Sequence, residues 1–191
     1  MRKERQTSQS PDRHLWKGLA AGLVGGLVAS WAMNRFQEVW SKLAEGHREL
    51  PGASSLQPVS KPAAEVQQAS SEAPDDTTVK TASAISAGLF DHKLTEQEKK
   101  VAGTAVHYSL GTGVGGLYGA TAELAPGVTA VAGLPFGAAF WLVVDEGAVP
   151  FLGLAKGPAE YPLSTHVYAL TSHLLFGLTA EVVRRAVRRA L

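Results

Sequence analysis

The sequence contains no cysteine in 191 residues. That excludes disulfides, thiolate metal ligands and a cysteine nucleophile. It also lacks an excess of either charge. Its 18 Lys+Arg against 17 Asp+Glu leave a formal net charge of +1, so no global field draws it to nucleic acid. No G-x-S-x-G elbow, P-loop or H-E-x-x-H pair is present. An enzyme is therefore not expected, and no catalytic residue, metal or cofactor is assigned.

What is there is uneven. Residues 41–100 are polar and charged, whereas 18–33 and 101–182 are strongly apolar with charges at their edges. The N-terminal residues 1–13 form a basic tail. Gly18–Met33, GLAAGLVGGLVASWAM, carries no charge. With Leu15, Trp16 and a snorkelling Lys17 it reaches the roughly 20 residues a tilted spanning helix needs. A cleaved signal peptide is the alternative, but the long charged leader and the unbroken pattern through NRFQEVWSKLAE argue against it. A first transmembrane helix with its extension is placed at 14–40.

Residues 41–94 read as a polar, disordered linker. Pro51, Pro58, Pro62 and Pro74 stand among Ser, Ala, Gln and Glu, with no hydrophobic period. Order resumes at Thr95, where Glu98 three residues on completes a capping box. The helix it opens should run to about Leu124, where Ala-Pro-Gly (125–127) stops it. Its apolar part, Val101–Leu124, is about 36 Å long at 1.5 Å per residue. A third segment runs from about Val128 to Asp145-Glu146. A fourth starts at Ser164, read as its N-cap, and reaches the C-terminus. Residues 95–191 thus form a three-helix membrane region with a basic end.

Gly111, Gly113 and Gly116 spell G-x-G-x-x-G, a dinucleotide fingerprint. That motif must follow a strand and open a helix. Here it lies well inside a helix already capped at Thr95, with no β-rich run before it. The other reading is a glycine zipper. Gly111, Gly115 and Gly119 recur every four residues. So do Gly18, Gly22 and Gly26 in the first segment, and Gly133 and Gly137 in the third. Glycine costs a water-soluble helix about 1 kcal/mol against alanine. Inside a membrane it lets backbones approach. The 18/22/26 and 111/115/119 seams are expected to face each other; Gly116, about 100° around the helix, should tolerate bulk better if its face meets lipid.

The expected fold is therefore all-α: an integral membrane bundle of about four transmembrane helices, with the linker between the first and second. Arg2, Lys3, Arg5, Arg13 and Lys17 precede the first helix, and Arg184, Arg185, Arg188 and Arg189 end the last. Positive charge stays inside, so both termini are expected to be cytoplasmic. The four C-terminal arginines read as an anchor for anionic lipid headgroups. Membrane lipids and a second copy of the chain are the expected partners, with no nucleic acid and no assigned substrate.

Ionisable groups at membrane depth are costly and face protein or water. His107, Asp145, Glu146, His166 and His173 are the candidates. Glu123 and Glu181 lie near span ends, where the interface should solvate them. His166 and His173, seven apart, share a helix face that Gly177 continues. The set admits packing, a proton pathway or a carboxylate–histidine metal site, in that order of preference.

HYSLGTGVGGLYGATAEL, GLPFGAAFWLVVDEGAVPFLGL and YPLSTHVYALTSHLLFGLTAEVVRR together resemble the YagU-like family of bacterial inner-membrane proteins. The likeness covers about residues 101–189, more weakly 14–40, and leaves the linker unaligned. It implies a multi-pass inner-membrane location and no activity, since the family is functionally uncharacterised. A structural or envelope-associated membrane protein is the first expectation. A small proton, ion or solute transporter using the His/Asp/Glu set is the alternative.

Overall fold

The computed structural model describes residues 11–46 and 74–191. Residues 1–10 of the basic tail and 47–73 of the linker lie outside the described residues. Among the described residues there is no strand, and the all-α expectation holds. The helices are α1 Pro11–Gly46, α2 Pro74–Phe90, α3 Glu96–Leu124, α4 Leu134–Val143 and α5 Leu163–Ala190.

Two segments are long and apolar enough to cross a membrane, Leu15–Leu43 and Pro126–Phe151. Helices α3 and α5 are as long but more polar. They carry Gly, Ser, Thr and His where a simple span carries Leu and Val.

The central helix is α1, which packs on both α3 and α5. Its contact with α3 is backbone against backbone. A Cβ on Gly22 would strike the Gly115 carbonyl oxygen, and one on Gly26 the Gly111 carbonyl oxygen. A Cβ on Gly115 would lie 2.5 Å from the Gly26 Cα. Gly119 meets the carbonyl oxygen of Gly18. These approaches are open only to glycine. Gly116 is buried, not lipid-facing: a Cβ there would lie 2.7 Å from Leu23 Cδ2 of α1. Gly133 and Gly137 sit against the Gly177 and His173 carbonyl oxygens of α5. All three seams are thus occupied within one chain.

Helix α3 begins as its sequence dictates. The Thr95 side chain caps Glu98 N while the Glu98 carboxylate accepts from Thr95 N at 2.7 Å. It ends at Leu124, before Pro126. Helix α4 starts later than the sequence suggests. Pro126–Gly133 is a 3₁₀ stretch in which Val131, Ala132 and Gly133 are left-handed, with φ 48°, 55° and 83°. Pro135, fixed at the helical φ and without an N–H, supplies the first turn of α4 instead. Helix α5 starts at Leu163 with Pro162 at the cap position, so Ser164 does not cap it.

Helix α2 stands where the sequence reads as linker. Its packing face is made of small residues, which give no hydrophobic period. Ala82 and Ser86 are buried. Val79 lies against Gly103 of α3, where a Cβ would be 2.8 Å from Val79 Cγ2. Ser86 Oγ donates to the His92 carbonyl at 2.9 Å and closes the α2–α3 hairpin.

Candidate functional site

The helices leave a cavity of about 730 Å³ at one end of the bundle. Its walls come from α1 (Ser30, Met33, Gln37), α2 (Thr77, Thr81, Ile85), α3 (His107, Leu110), the exit of α4, the loop around Pro158 and α5. His107, Asp145, Glu146, His166 and His173 all line it.

The two carboxylates owe their placement to a break in the helix. Pro150 has no N–H for the Glu146 carbonyl, and its ring crowds that carbonyl. The backbone widens to a π-turn over Val144–Ala148, with Val149 N donating to Val144 O. Such turns re-aim side chains and recur at functional sites. On the facing helix, His166 and His173 are two turns apart, and each meets one of the carboxylates.

His166 Nδ1 lies 2.6 Å from Glu146 Oε1, and its Nε2 lies 3.0 Å from the Pro158 carbonyl oxygen. A carbonyl only accepts, so Nε2 carries a hydrogen. One further proton is then shared between Nδ1 and Oε1, and the pair is neutral as a unit. His173 differs. Its Nδ1 donates to the Ala169 carbonyl at 2.9 Å. Asp145 Oδ2 stands 3.6 Å from the same nitrogen, beyond hydrogen-bond length. Phe140 packs edge-on to the His173 ring at 5.2 Å. His107 meets Tyr108 edge-on at 5.5 Å on the opposite wall. Among the described residues no three His, Asp or Glu come together as a metal-ligand set. The carboxylate–histidine contacts are two separate pairs.

A second polar centre lies toward the other end, and the sequence reading missed it. Glu181 is fully buried, not solvated at an interface. Its carboxylate accepts from Tyr118 Oη at 2.8 Å, from Arg184 Nε at 2.7 Å and Nη2 at 3.0 Å, and from Arg185 Nε. Glu123 accepts from Arg188 Nε at 2.7 Å. Of the four arginines assigned to lipid headgroups, Arg184 is buried and Arg185 and Arg188 are held by carboxylates of the bundle; Arg189 is exposed. The i,i+3 and i,i+4 spacing of Glu181 to Arg184 and Arg185 was the available signal. Tyr118 stacks on Phe136 at 4.1 Å, which joins this network to α4.

A family model described as a protein of unknown function, DUF1440, matches residues 62–182. The chain belongs to the DUF1440 family. The match takes in α2, α3, α4 and most of α5, and with them all five polar residues of the cavity. Helix α1 and Arg184–Arg189 lie outside it. No curated protein and no solved structure matches the chain.

Proposed function

We propose that this chain is a four-span integral membrane protein of the bacterial inner membrane that takes a small solute into its cavity and transports it or a coupled proton. The observation that carries this is the convergence of His107, Asp145, Glu146, His166 and His173 on one cavity of about 730 Å³. Ligand pockets are typically 300–1,000 Å³, mostly apolar, with a few convergent polar groups. Membrane placement is supported by Pro126–Phe151, which is apolar yet only 11% buried. A core helix of a soluble protein would be mostly covered. Trp16, Leu27, Trp31, Leu117, Leu142 and Val182 likewise point outward, as a lipid-facing perimeter requires. The YagU-like resemblance supports the inner membrane. The basic ends support cytoplasmic termini, with the cavity in the outward half.

The second reading, a structural or envelope-associated membrane protein, is favoured by the close glycine packing. That packing is spent within the chain, so self-association would use other surfaces. Vesicle flux separates the two readings. Reconstituted protein should collapse an imposed pH gradient faster than protein-free vesicles, and a Glu146→Gln/His166→Gln double variant should lose the effect. Flux no greater than the lipid background, with folded protein in the vesicles, would leave the structural reading.

A further inference from the structure

We propose that the cavity binds a monovalent organic cation, an ammonium group on an apolar body, with Asp145 as its counter-ion. This rests on the reading of the cavity as a solute site and names the class of solute. The argument is one of unsatisfied valence. Glu146 is matched by His166 at 2.6 Å, and the two share a proton as a neutral pair. Among the described residues Asp145 has no such match. The His173 Nδ1 is committed to the Ala169 carbonyl at 2.9 Å and stands 3.6 Å away. Lys156 also lines the cavity but sits on an exposed loop and forms no ion pair with either carboxylate among the described residues. The Asp145 side chain keeps 36% of its surface open and lines a mostly apolar cavity; a carboxylate so placed calls for a donor, and the most effective donor is a cation.

The lining hydroxyls do not match it either: Ser30 Oγ donates to the Gly26 carbonyl and Thr81 Oγ1 to the Thr77 carbonyl. An ammonium in the cavity can donate to the Asp145 carboxylate. Phe140, Phe176, Tyr168 and Met33 line the rest and suit an apolar, preferably aromatic body. An anion would be repelled by the Asp145 carboxylate. A divalent metal would lack a third ligand.

The test uses three probes of one shape on the full chain in detergent at neutral pH: phenethylammonium, 2-phenylethanol and 3-phenylpropionate. Binding is read by calorimetry and by the shift in thermal transition. Phenethylammonium is expected to bind saturably and at least about tenfold more tightly than the other two, as an interfacial charge pair allows. Asp145→Asn should remove that advantage while 2-phenylethanol still binds, which shows the variant folded. Equal binding of alcohol and ammonium by the wild type, or tighter binding of the carboxylate, would overturn the cation assignment and leave the solute cavity standing. If none of the three binds, both readings fall.

Discussion

At the scale of single residues, close packing and buried charge make opposite demands. Where α1 crosses α3, backbone meets backbone, so Gly115→Leu must separate the helices. Overpacked contacts of this kind cost about 1–3 kcal/mol. Gly116→Leu should cost less, because its neighbours are Leu23 and Leu19 side chains, which can rotate away. Thermal transitions of the two detergent-solubilised variants test this; equal losses would show that the seam is not the tight contact. Glu181 poses the reverse case. Glu181→Ala leaves Arg184 buried without its carboxylate and Tyr118 without its acceptor. Breaking a buried pair by removing one partner costs about 3–5 kcal/mol. A loss below about 1 kcal/mol in denaturant titration would mean that water replaces the carboxylate. The glycine spacing could be read from sequence because every fourth residue shares a face whatever the partner is. The Tyr118–Glu181 bond could not, since it joins residues 63 apart.

At the scale of elements, local chemistry decided the starts and stops, and tertiary packing decided the rest. The Thr95–Glu98 box is purely local, and it was legible. The Thr95 backbone N–H, then its hydroxyl, with a smaller contribution from His92, hold the Glu98 carboxyl below its ordinary value of 4.5. A depressed carboxyl contributes stability that is complete above its unfolded value. That contribution is lost as the pH falls through the folded value. The first turn of α3 should therefore be protected above pH 4.5 and fray as the solution is acidified below it. Amide exchange at Thr95, Glu98 and Lys99 reads this directly, and Thr95→Ala should flatten the pH dependence. Protection unchanged down to pH 3 (on the order of one unit below a free glutamate) would show that tertiary contacts hold the turn. Helix α2 was not legible for the opposite reason. Its buried positions Ala82 and Ser86 are small, and Val79 meets Gly103, so the face has little hydrophobic signature. Pro135 and Pro150 were visible, but a proline alone does not say whether a helix stops, restarts or widens to a π-turn.

At the scale of the molecule, the open variable is which helices cross the bilayer. Leu15–Leu43 and Pro126–Phe151 qualify by length and composition alone. Helices α3 and α5 do not, because their apolar character is diluted by glycines that face α1 and α4 and by polar groups that face the cavity. Polar residues directed inward leave the lipid-facing side apolar, as Leu117, Val167 and Val182 do here. Two spans and four spans both return the C-terminus to the side of the N-terminus, so end reporters alone do not separate them. The absence of cysteine does. Single cysteines can be placed at Lys93, Gly127 and Ala159, all exposed. With four spans and cytoplasmic ends, Lys93→Cys and Ala159→Cys should react with an impermeant maleimide added to intact spheroplasts. Gly127→Cys should react only after permeabilisation. With two spans the pattern inverts at both later sites: Gly127→Cys becomes accessible and Ala159→Cys protected. The second pattern would put the loop around Pro158 and Lys156 on the opposite side of the membrane from α2, although both line one cavity, and would overturn the reading of that cavity.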